Sequence, residues 1–182
     1  MIIDGLWRLT GGAGGVGNND GATDSPTTGT QTSSNSADLG ITSGIPSSAS
    51  GGGARDIGIG DDPALKWLIQ VQTAFASGTS LQVNVQGAAD NGSGVAGAFT
   101  TMIAGPVVVE ANLIVGARLF EVDMPRPVPG QALPRFIQLQ YVTVGTHTAG
   151  KLSGQLVLDR HDQPLQSNAV LGGYAAGVNV AN

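Results

Sequence analysis

Two histidines stand beside groups that could do acid–base or metal chemistry. His147 lies in Gly145-Thr146-His147-Thr148-Ala149-Gly150, and its titration range suits a general base. The same short run reads as a turn between two strands, so an exposed turn residue is the expectation. His161 lies in Asp159-Arg160-His161-Asp162, where an imidazole and two carboxylates could meet a cation. No HxH or HExxH spacing accompanies it, and a solvated strand end is expected instead. Gly12, Gly14 and Gly17 satisfy GxGxxG literally, but the phosphate-binding form must follow a buried strand and open a helix, whereas this one runs on into more Gly, Asn and Ser. Asp20-Gly21-Ala22-Thr23-Asp24 and Asp61-Asp62 offer carboxylates without the spacing of a calcium loop, which leaves them turn and solvation roles. Asn91-Gly92-Ser93 is both a glycosylation triplet and a hairpin-turn signal. Glu110, Glu121 and Asp123 could converge for glycoside chemistry, yet Glu121 and Asp123 share the polar face of one strand. With no nucleophile, base and orienting group in sight, the expectation is a protein that is not an enzyme, with no catalytic residue, cofactor or metal.

The elements that would position such groups follow from period-two alternation, the mark of half-buried strands. Trp67, Ile69, Val71 and Phe75 share one face of Leu65 to Phe75, opposite Leu68, Gln70 and Gln72. Leu81, Val83 and Val85 alternate with Gln82, Asn84 and Gln86, and residues 76–80 between the two runs read as a hairpin loop. Shorter strands are expected at 98–103 and 107–109, separated by Gly105-Pro106. Further strands follow at 118–124, 136–144 and 152–158. Trp67 is expected in the core. The outward positions are Gln, Asn, Ser and Thr rather than Lys and Glu, and a neutral face of that kind tolerates lasting contact with neighbours where charge would keep sheets apart.

Composition bounds what these strands can be. The 182 residues include 29 Gly, no Cys and only 12% charged residues, against roughly 7% Gly and about 25% charged in ordinary domains. Helix is disfavoured, disulfides and thiolate sites are impossible, and a net charge of −5 with two Lys and six scattered Arg argues against nucleic acid as the ligand. No window reaches the ~18 apolar residues of a membrane helix, and no secretory leader is apparent, so a membrane partner is not expected. Fifteen of the glycines fall in residues 1–60, where the stretch from Gly11 to Gly53 is otherwise mostly Ser, Thr, Asn, Asp and Ala. Ordering such a stretch costs ~1–2 kcal/mol per residue with little apolar burial to offset it. The expected organisation is therefore an extended Gly/Ser-rich N-terminal arm with an apolar tip at 1–53, a β domain at 54–160 and a C-terminal tail at 161–182. The fold class is all-β, a jelly-roll-like antiparallel β-sandwich.

Several segments, in order, carry a likeness to a known family. They are Met1-Ile2-Ile3-Asp4, Ala37-Asp38-Leu39-Gly40, Arg55-Asp56-Ile57-Gly58-Ile59-Gly60, Gln70-Val71-Gln72-Thr73-Ala74-Phe75, Arg135-Phe136-Ile137-Gln138-Leu139-Gln140-Tyr141, and Thr148-Ala149-Gly150-Lys151 leading into Gln155-Leu156-Val157-Leu158-Asp159. Together they resemble the capsid cement, or head-decoration, proteins of short-tailed Bordetella-type bacteriophages. The resemblance implies a jelly-roll domain, made in the host cytoplasm, that oligomerises as a homodimer or homotrimer. It would sit on the outer surface of an icosahedral head, clamping neighbouring major capsid subunits without catalysis. The longer arm at 11–35 and the tail after Asp162 depart from the family.

For the contacts themselves, Ile3, Leu6 and Trp7 are either anchors on a reaching arm or the cover of an open end of the sandwich. Arg126, in the loop Pro125-Arg126-Pro127-Val128-Pro129-Gly130, either meets a capsid carboxylate or is solvated, and Tyr174 is the aromatic anchor of the tail. The competing function is a carbohydrate-binding jelly-roll module or adhesin on the virion surface.

Overall fold

A computed structural model describes residues 8–39, 65–123 and 134–158. Its strands are β1 (Gly29–Thr32), β2 (Ala37–Asp38), β3 (Leu65–Ala88), β4 (Thr100–Val109), β5 (Arg118–Asp123) and β6 (Phe136–Leu158), with one turn of 3-10 helix at Glu110–Asn112. The chain is all-β and every strand pairing is antiparallel. The sheet runs β1-β6-β3-β4, while β2 also pairs with β6 and β5 with β3.

The frame is an antiparallel pair of two very long strands that are far apart in sequence. β3 and β6 pair from Leu65↔Leu158 to Ala88↔Phe136, with register shifts crowded between Val71 and Ser80. Each shift is a bulge that raises local twist and bends the strand, and here they fold the strand pair over on itself. One half carries β5 on the outer edge of β3; the other carries β4 there and β1 and β2 on β6. The two halves then face each other. An added Cβ on Gly154 would lie 2.4 Å from Leu139 Cδ1, although both residues belong to β6. Between the halves lie Trp67, Ile69, Val71, Leu81, Val83, Val85, Ile137, Leu139, Tyr141 and Leu152, each almost wholly buried. Burial of each large apolar side chain contributes ~1.5–3 kcal/mol. This is the antiparallel sandwich that the alternation predicts, with Trp67 in its core at 0% exposure.

Three expected breaks in the strands are absent. Residues 76–80 and 145–150 continue β3 and β6, and Gly105-Pro106 lies inside β4. In each case the sequence signal marks an irregularity in a continuing strand, because Gly, Ser and Pro serve bulges as readily as turns. His147 is accordingly not an exposed turn residue. It is 2% exposed, edge-on to Phe75 with ring centroids 5.1 Å apart, over Gly78, where a Cβ would lie 2.0 Å from its Cε1. The Ser80 carbonyl sits 3.3 Å from Nε2, which places the ring proton on that nitrogen. Nδ1 is buried without a partner.

A larger correction concerns the glycine-rich segment. Residues 8–39 are not a flexible arm but a segment, β1 and β2 included, sewn to β6. Leu9 N donates to Gly154 O, Asp24 and Leu152 exchange both backbone bonds, and Ser33 N donates to Leu139 O. Leu9 and Val16 join the core. The remainder of the expected arm, at 1–7 and 40–53, lies outside the described residues, as does the tail at 161–182.

Candidate interaction face

Asp24 explains how so polar a segment is ordered. Its side chain is wholly buried and accepts from four donors. Gly11 N at 2.9 Å and Ser34 Oγ at 2.5 Å meet Oδ1; Ser34 N and Tyr141 Oη, both at 2.9 Å, meet Oδ2. A buried carboxylate is tolerated only when hydrogen-bonded in this way, and the knot ties residues 11, 24 and 34 to the middle of β6. Burial and the neighbouring carboxylate push the Tyr141 hydroxyl well above its ordinary pKa. Asp24 is therefore not the solvated turn residue that its local sequence suggests, because its role depends on partners far away in sequence. Asp20 keeps the expected turn role. Its carboxylate accepts from the Thr23 hydroxyl and from the N–H groups of Thr23 and Ala22, which lower its pKa to about 2.

A second polar cluster sits at the start of β6. Arg135 makes a two-pronged bond to Asp38, Nε to Oδ1 at 2.9 Å and Nη2 to Oδ2 at 3.1 Å, and its Nη1 also binds Asp90. The guanidinium lies 5.0 Å over the Phe136 ring. Its pKa is raised, first by the Asp38 bond and then, against burial, by Asp90. Arg135 thus clasps β2, the β3–β4 hairpin and β6 together. No short motif marks this cluster, and sequence reasoning missed it.

With the charges engaged there, in Arg118–Glu121 on β5 and in Lys151–Asp20, one broad surface is left without any. Directly paired residues point to the same side of a sheet. With Leu81, Val83, Val85, Leu139 and Tyr141 inward, the opposite face of β1, β6, β3 and β4 reads row by row from the register. The rows are Val144–Ser80–Val109, Thr30–Val142–Gln82–Val107, Thr32–Gln140–Asn84–Ala104 and Gln138–Gln86–Thr101. None of these residues is charged. Val107, Val109 and Val144 are 64%, 52% and 54% exposed and cluster at one end.

The amides hold one another across the strands. Asn84 Nδ2 donates to Gln140 Oε1 at 3.1 Å, Gln138 Nε2 to Gln86 Oε1 at 2.9 Å, and Gln82 Nε2 to Gly105 O at 2.9 Å. Asn84 Oδ1 is buried without a partner, which costs about 1–3 kcal/mol until a donor reaches it. The neutral face was legible in the sequence; the placing of the valines was not, since it needs the register.

The sequence-predicted contact residues Ile3, Leu6, Trp7, Arg126 and Tyr174 all lie outside the described residues, as do His161 and Asp61-Asp62. Of the three acidic candidates, Glu110 accepts from Ser77 N at 3.0 Å and Glu121 pairs with Arg118 at 3.4 Å, while the Asp123 side chain is outside the described set. Among the described residues no three His, Asp or Glu side chains gather to hold a metal.

The described residues form an all-β protein with an uncharged sheet face and with Asp24, Asp38, Asp90 and Arg135 engaged in internal ties. A family model named Bbp16 matches residues 22–156, from just before Asp24 to within three residues of the end of β6. The chain belongs to the Bbp16 family, a name that accords with the Bordetella-phage resemblance. A search of curated proteins finds no match.

Proposed function

We propose that this chain is a virion structural protein that decorates and cements the outside of an icosahedral phage capsid, bridging neighbouring major capsid subunits and so stabilising the head. The observation that carries the reading is the uncharged four-strand face with its three exposed valines. Such a face can dock closely without stripping water from ions. Membership of the Bbp16 family supports it. On this reading the partners are the major capsid protein and further copies of the chain, as a homodimer or homotrimer, and no catalytic step is involved. A repeating shell lets modest interfaces of about 800 Å² per partner act together.

The test is attachment to heads. The protein should co-sediment with assembled heads at high copy number, and heads lacking it should rupture at lower osmotic or thermal stress. Val107→Lys and Gln82→Lys, which place charge on the face without touching the core, should abolish co-sedimentation while leaving the melting temperature within a few degrees. Absence from heads, or glycan binding that these variants destroy, would sink the cement reading and favour an adhesin.

A further inference from the structure

The Asn91-Gly92 pair in the loop joining β3 to β4 is chemically reactive. With no Cβ on the following residue, the Gly92 nitrogen can attack the Asn91 side-chain carbonyl carbon. The Gly92 N–Asn91 Cγ bond forms, the Cγ–Nδ2 bond breaks, and the Gly92 amide proton leaves with Nδ2 as ammonia. Water then opens the cyclic imide at either carbonyl, giving aspartate or isoaspartate. Asn91, Gly92 and Ser93 are all exposed, so solvent can reach every atom involved.

Yet each group the reaction must free is held. Gly92 N donates to Asp90 Oδ1 at 2.9 Å, and Gly94 N donates to the same oxygen at 2.9 Å. Ser93 N donates to Asn91 Oδ1 at 2.9 Å. Asn91 N donates to Val95 O at 2.9 Å, with Asp90 bridged to Ala96 beneath. Gly92 is at φ +93°, a conformation that favours glycine, so the reactive residue cannot simply be replaced. Asp90 in turn is held by Arg135.

We propose that Asp90, fixed by Arg135, is a positioning residue that guards Asn91-Gly92 against this self-cyclisation. The attacking species is the deprotonated amide, and a carboxylate already accepting the amide proton opposes the second negative charge. Nor does Asp90 take the proton. Burial pulls its pKa up, but the N–H groups of Gly92 and Gly94 and then Arg135 outweigh that and hold it below its ordinary value, making it a weak base. Attack therefore waits on local opening of the loop, and the rate falls by the fraction of time spent open. Conversion would set a second carboxylate beside Asp90 or lengthen the backbone in the loop that Arg135 clasps. The inference does not depend on the capsid reading.

Full-length protein is aged in warm, mildly alkaline buffer, with conversion of Asn91 followed by peptide mass spectrometry and isoaspartate labelling. Native protein should convert at least about tenfold more slowly than the same chain in denaturant. Asp90→Ala should recover most of that difference while circular dichroism shows the sheet intact. Asp90→Asn, which keeps the shape and an acceptor oxygen without the charge, should fall between and covers the case in which Asp90→Ala unfolds. A native rate equal to the denatured one overturns the proposal, and so does a folded Asp90→Asn or Asp90→Ala protein ageing at the native rate.

Discussion

At the scale of single residues, the most consequential group is the Asp24 carboxylate, since one side chain satisfies four donors from three parts of the chain. Asp24→Ala leaves the Tyr141 hydroxyl and the Gly11 N–H buried without acceptors, and the half-buried Ser34 donors without theirs. Hydrogen bonds to a charged group are worth about 1.5–3 kcal/mol each, so a loss of at least about 3 kcal/mol is expected in urea denaturation. Asp20 sets a pH dependence of definite sign. Its folded pKa of about 2 lies below the ordinary value of 3.8, so its contribution is present above 3.8 and is lost as pH falls toward 2. Carboxyl resonances followed by NMR should show Asp20 titrating near 2, and Thr23→Val should move that titration upward by removing the hydroxyl that lowers it most.

At the scale of elements, the fold depends on two strands being able to bend without ending. Gly78 allows the His147 ring to close over β3, and Gly78→Val would drive a side chain into that ring. Overpacking of this kind costs about 1–3 kcal/mol, and a drop in melting temperature with a shifted His147 resonance is the expected result. The sequence shows clearly where alternation is strict, as in Leu81 to Gln86 and Phe136 to Val144. It misleads between Val71 and Ser80, where the same small residues that would close a hairpin instead make bulges. It misleads again at residues 8–39. Their order comes from backbone bonds to Leu139, Leu152 and Gly154, and no local pattern encodes a partner more than a hundred residues away.

For the whole molecule, the polar N-terminal segment is a component of the sandwich. Deleting residues 1–28 would remove Leu9, Val16 and Asp24 from the buried set and expose the β6 edge that they cover. The truncated chain should lose cooperative unfolding in circular dichroism melts. A domain folding normally without these residues would show that the segment is dispensable. The neutral face is the complementary large-scale feature, foreshadowed by the low charge of the sequence but given position only by the β1-β6-β3-β4 order.

The pairing of Leu65 with Leu158 has a mechanical consequence. β3 begins and β6 ends side by side, so tension applied at those two points meets the ladder one rung at a time and opens it like a zipper. Tension passed through the neutral face into several strands at once loads many rungs together, in shear. A protein of this build resists load applied across its face and peels when pulled by the start of β3 and the end of β6.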